Sequence, residues 1–104
     1  MRVTNSLVTV VAWLVADADS EHWGYEITES TGVNPGALYP MLQRLVDEGW
    51  LTSRWEDATA ARAEARPPRR LYSVTDVGMT SMGALLRTLE NKRKFNRPAL
   101  GMGS

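Results

Sequence analysis

Apolar residues recur at helical spacing over most of the chain and alternate with polar ones in two short runs. From Thr4 to Ala16 nearly every position is apolar, with Leu7, Val8, Val10, Val11, Trp13, Leu14 and Val15. The β-branched content also suits a buried strand, but the length and a Thr4 or Asn5 cap favour a helix covered on most faces. In a small domain such a helix implies a second chain along one side. "DADSEH", residues 17–22, reads as a polar connection. "GYEITEST", residues 24–31, predicts a short helix stopped by Gly32 in the left-handed conformation. Val33 and Asn34 turn the chain into "NPGALYPMLQRLVDEGW". There Asn34 caps, Pro35 takes the first helical position, and Leu38, Leu42, Leu45 and Val46 repeat until Gly49 stops the helix. Two short helices joined by a tight glycine-containing turn form a helix-turn-helix signature.

Pro40 is out of place in that second helix, where an interior proline removes a backbone hydrogen bond at a cost of about 3 kcal/mol. The lost bond would run to Gly36, within the first two turns, so a local bend there can tilt the front of the helix. The plainer reading is that Gly36 relieves the crowding and Pro40 is merely tolerated.

"WLTSRWE", residues 50–56, and "RRLYSVT", residues 69–75, are the alternating runs and predict strands. The twelve residues between them, "DATAARAEARPP", are long for a hairpin loop, and so either functional or disordered. Strand, long basic loop and strand directly after a helix-turn-helix make a winged arrangement. Thr75 then caps a last helix in which Met79, Met82, Leu86 and Leu89 fall at a/d spacing over about two heptads, suited to packing against a partner. The predicted fold class is mainly α with a small β-hairpin, a winged helix-turn-helix with a C-terminal dimerisation helix. Residues 1–74 form the winged unit, 75–95 the dimerisation helix and 96–104 a flexible tail.

At 104 residues with 43% apolar content, the chain has the size and composition of one globular domain. It has no cysteine and one histidine, His22, which excludes a disulfide framework and a histidine or thiolate metal site and fits a cytoplasmic protein. The apolar run behind Arg2 has the length of a signal-peptide core and is too short to span a bilayer. The same run is required as a core helix, so neither secretion nor a membrane partner is expected. The net charge of zero hides an asymmetry: residues 1–60 carry three Arg against nine acids, and residues 61–104 nine Lys and Arg against three. A balance of −6 followed by +6 marks a local basic surface.

The candidate chemistry is recognition of a duplex rather than catalysis. With Leu38, Leu42 and Leu45 turned inward, Gly36, Tyr39, Pro40 and Gln43 point outward. The front turn, Asn34 to Ala37, is small and uncharged and can approach a phosphate or groove closely. Tyr39 can reach a phosphate, and Gln43 or Arg44 a base edge. Arg66, Arg69 and Arg70 form a second surface, with Arg62 beside them, able to clamp phosphate or enter a minor groove. Arg69 and Arg70 are held at the strand start by Pro67 and Pro68, whereas Arg62 and Arg66 also suit a solvated loop. Lys92, Arg93, Lys94 and Arg97 form a basic helix end that complements the macrodipole or touches a third phosphate. Asp17, Asp19, Glu21, Glu26 and Glu29 have no cationic partner in the pattern and read as a solvated face. No nucleophile, phosphate loop or metal spacing appears, so neither an enzyme nor a cofactor is expected.

Three elements in this order and spacing resemble the PadR family of transcriptional regulators over about residues 4–90. They are Gly24-Tyr25-Glu26; Pro35-Gly36-Ala37-Leu38-Tyr39-Pro40 through Arg44-Leu45 and Glu48-Gly49; and Pro68-Arg69-Arg70 before Tyr72 and Thr75-x-x-Gly78. The resemblance implies a homodimer that binds double-stranded DNA at inverted repeats and represses promoters, its C-terminal and first helices forming the interface. That places Leu7, Val10, Val11, Leu14, Met79, Met82, Leu86 and Leu89 between subunits. A single C-terminal helix is similar to the family's short subgroup, some of whose members hold flat aromatic effectors between subunits; Trp13 and Met82 are the candidate lining residues. Family members often carry Lys or Arg after the Gly-Tyr-Glu segment, where this chain has Thr28, Glu29 and Ser30. An acidic second helix leaves open a different class, a winged-helix protein-interaction module that does not bind DNA specifically.

Overall fold

The computed structural model describes residues 2–95, in the order α1 (Asn5–Ala16), β1 (His22–Trp23), α2 (Gly24–Thr31), α3 (Pro35–Asp47), β2 (Leu51–Trp55), α4 (Ala58–Ala63), β3 (Arg70–Val74) and α5 (Asp76–Phe95). The proposed tail at 96–104 lies outside these residues. The helix boundaries follow from local chemistry. Thr4 caps α1 by accepting the Leu7 N–H at 3.1 Å, and Asn34 caps α3 by accepting the Ala37 N–H at 2.9 Å. Gly32, at φ +77°, ends α2 and turns the chain into α3. Thr75 serves two elements at once. Its hydroxyl donates to the Gly49 carbonyl at 2.6 Å and accepts the Gly78 N–H at 2.8 Å, so α5 starts clipped to the end of α3.

The fold is mostly helical, as expected, but its β component is larger than a hairpin. β1 adds a third antiparallel strand, giving the order β1-β3-β2 with His22 opposite Tyr72 and Trp23 opposite Leu71. β2 pairs β3 from Leu51 opposite Val74 to Trp55 opposite Arg70. The segment read as a polar connection therefore runs into the sheet at His22. The interstrand segment is not a bare loop either: Asp57 accepts the Thr59 N–H at 2.8 Å and starts α4, whose Ala61 is buried.

The core is built by one chain. Leu7, Val10, Val11 and Leu14 of α1 meet Ile27, Leu38, Leu42, Leu45, Leu51, Tyr72 and Met82. This corrects the expected interface: the four α1 residues and Met82 are at most 2% exposed and are already covered within the protomer. α1 packs against α5 and α2 through these residues, and its remaining apolar positions, Val8, Trp13 and Val15, are half-buried. Of the a/d positions on α5, Met79 is exposed and Leu86 and Leu89 are half-buried. His22, 3% exposed, fastens the corner between α1 and α2. Its Nε2 lies 3.2 Å from the Asp17 carbonyl, its ring meets Trp13 edge-on at 4.5 Å, and its Nδ1 lies 3.1 Å from a Glu26 oxygen, out of line for a hydrogen bond.

Candidate nucleic-acid interface

α3 separates its faces cleanly. Leu38, Leu42 and Leu45 have no exposed surface, whereas Asn34, Pro35, Gly36, Ala37, Tyr39, Pro40, Gln43 and Arg44 are all exposed. The helix continues through Pro40, and the front turn presents small residues without charge. Asn34 acts locally as the cap. Gln43 donates to Asp47 at 2.9 Å, a bond that must open before the amide can read a base edge. Tyr39 lies across Gly24, and a Cβ at that position would collide with its ring. The glycine at the head of α2 thus makes the seat on which the α3 tyrosine rests, which accounts physically for the Gly-Tyr-Glu and Leu-Tyr-Pro elements occurring together.

The wing arginines do different jobs. The Arg69 guanidinium lies over the Trp23 ring, its Cζ 3.8 Å from the centroid, and its main-chain N–H donates to Glu56 at 3.2 Å. The Arg69 Nε is buried against the ring without a hydrogen-bond partner. Arg70 donates to the Ser53 hydroxyl at 2.8 Å and stands 5.5 Å from the Trp55 ring. Arg66 turns inward. Its guanidinium makes a two-pronged bond to Glu56, at 2.5 and 2.9 Å, and a third to Glu64 at 3.2 Å, leaving the side chain 18% exposed. Arg66, expected at the DNA, instead directs its guanidinium to Glu56, Glu64 and the Pro67 carbonyl at 3.3 Å, a clasp that closes the wing. That clasp, helped by the Arg69 N–H, holds the Glu56 carboxyl down at about 2. Arg62 is exposed on α4, next to the turn where Ala65 adopts φ +55°.

Trp23 was not singled out from the sequence, yet it touches both halves of the surface. It pairs with Leu71 in the sheet, lies under Arg69, and stands 5.4 Å from the exposed Tyr25. The Glu26 carboxylate accepts its N–H at 3.4 Å. The "WGYE" string carried the signal, since a tryptophan before a helix-starting Gly-Tyr-Glu has few reasons to be solvated. Of the two residues expected to line an effector pocket between subunits, Met82 is buried in the core and Trp13 is half-buried, packed on His22. A groove of about 390 Å³ between α1 and α5 is lined instead by Asn5, Val8, Leu86, Leu89, Glu90 and Arg93. Among the described residues there is no cluster of three metal-ligating side chains, and no helix is long and apolar enough to cross a membrane.

The family model described as "Transcriptional regulator PadR-like family" matches residues 14–84. No curated protein is significantly similar to the chain in sequence. Among solved structures, a PadR family transcription regulator from Clostridium difficile R20291 is similar at TM-score 0.72 and 16% identity, over 88% of this chain and 94% of that one. A padr family transcriptional regulator from Eggerthella lenta DSM 2243 gives 0.69 and 21%, over 86% and 79%. MepR of S. aureus in its DNA-binding conformation gives 0.65 and 15%, over 89% and 63%.

Proposed function

The chain belongs to the PadR-like family of transcriptional regulators, and from that premise we propose that it is a repressor that binds an inverted-repeat operator as a homodimer. The observation that carries this reading is the exposed, uncharged front of α3, held on the core by Leu38, Leu42 and Leu45 and flanked by a wing with a fixed arginine. A helix end of that kind enters a major groove, its free N–H groups favouring phosphate. Tyr39, Gln43 and Arg44 then read or anchor the site. Arg69 and Arg70 meet the backbone from the wing, and Arg66 acts through the wing's shape.

Residues 1–74 form the DNA-binding unit and α5 the dimerisation element. The half-buried Val8, Leu86 and Leu89 along the α1–α5 groove supply the apolar strip for a second copy. Trp13, half-buried, is the surface through which a planar aromatic effector held between subunits would release DNA; quenching of tryptophan fluorescence by such compounds, lost in Trp13→Ala, tests that point.

The acidic Glu26 and Glu29 on α2 favour the rival reading, a protein-interaction module. Titration of the protein's own upstream promoter against unrelated duplex separates the two. Affinity tighter than about 10⁻⁸ M for the promoter, at least ~10³-fold over unrelated duplex, supports repression. Salt-labile, sequence-blind binding near micromolar supports the rival.

A further inference from the structure

One flank of the exposed face of α3 borders the entry to α1. Ala37, Pro40, Met41 and Arg44 follow helical spacing and form one wall of a cleft of about 330 Å³; Arg2, Thr4, Ser6 and Leu7, at the entry to α1, form the other. Arg2 and Arg44 are exposed, and no carboxylate of the described residues pairs with either. Arg54 and Arg66, by contrast, are paired with the carboxylates of Glu21 and Glu56. The remaining charges of α2 and α3 are the acids Glu26, Glu29 and Asp47. Two arginines without a carboxylate partner among the described residues therefore line one cleft at the flank of α3, and no acid lines it with them.

We propose that this cleft clamps a DNA phosphodiester between Arg2 and Arg44 while the front of α3 occupies the groove. The inference rests on the DNA-binding reading and deepens it by naming a backbone contact from the chain preceding α1. The chemistry of the walls fits a phosphodiester better than a base edge. Guanidinium groups donate to phosphate oxygens from both sides. Pro40 and Met41 add apolar surface for a deoxyribose to the lining, and Ser6 adds a hydroxyl. Pro40 acquires a role here beyond any bend. Lacking an N–H and the rotamer freedom of a long side chain, it keeps its part of the lining short and rigid, so that the backbone can approach Arg44.

The test uses the full chain and a duplex operator selected from random sequence, titrated by fluorescence anisotropy over a range of salt. Arg2→Ala and Arg44→Ala are each expected to lower the salt slope by about one unit and to weaken binding about eightfold near 0.1 M salt, equally for operator and unrelated duplex. The double variant loses less than the product of the single losses, because both arginines hold one phosphate. Thermal melting by circular dichroism confirms that both variants fold. Wild-type affinity and slope in Arg2→Ala, with Arg44→Ala weakened, overturn the clamp and leave the DNA reading intact. Strictly additive losses overturn the shared phosphate. Failure of the wild type to bind any operator overturns the DNA reading and the clamp together.

Discussion

Gly24 and Gly78 show how much a missing Cβ decides. At Gly78 an added methyl would meet the Trp50 main-chain carbonyl, which is fixed by its bond to the Thr75 N–H at 3.0 Å. Gly78→Ala is expected to destabilise by about 2 kcal/mol through forced backbone movement, seen as a lower urea midpoint with unchanged m-value. At Gly24 the obstacle is the far end of the Tyr39 side chain, which can swing aside. Gly24→Ala should therefore change stability by less than about 1 kcal/mol yet weaken operator binding, because Tyr39 loses its seat; a melting curve beside a binding titration checks both halves. Much of the site was legible at this scale. The Asn34 cap, Pro35, the inward leucines and the exposed stripe of α3 follow from local rules, and the structure keeps them. The Arg66–Glu56 clasp is not legible at this scale, because it joins residues ten apart across the wing and residue type alone does not record that pairing.

The wing is the element most exposed to pH. Glu56 sits near 2 in the folded state against an ordinary 4.5, held down first by the Arg66 hydrogen bonds. A depressed carboxyl binds protons more readily in the unfolded chain, so its contribution to the fold is complete above about 4.5 and disappears as pH falls toward 2. Residues 57–68 should become sensitive to an acid protease between roughly pH 4 and 2 before the α1–α3 core does, and Glu56→Gln should bring the same sensitivity to higher pH. Proteolysis mapped by mass spectrometry reads this directly, and a wing that opens no earlier than the core contradicts it. The elements that escaped the sequence did so for physical reasons. β1 is two residues long, too short to show an alternation, and depends on β3 arriving beside it. α4 is an alanine-rich helix of six residues with one buried position, so it shows no apolar stripe to mark its face.

For the whole molecule, the difference between core and interface is what periodicity could not supply. Met82 and Leu86 look alike in a heptad, but α1 lies over Met82 and leaves Leu86 at the rim. Met82→Ala is expected to cost about 2–5 kcal/mol of folding stability as a cavity variant. Leu89→Glu should instead leave the melting of the winged unit little changed and shift sedimentation from dimer toward monomer, weakening operator binding in parallel. The twenty-residue α5 carries its half-buried Leu86 and Leu89 along the groove it forms with α1. A second copy held along that helix would set the spacing of two α3 helices, and spacing is where protein symmetry becomes visible in DNA. Selection of bound duplexes from a random library by the full chain measures that directly. The account predicts an enriched inverted repeat with half-site centres about one helical turn, or a whole number of turns, apart; enrichment of a single asymmetric site, or no enrichment above the input library, contradicts it.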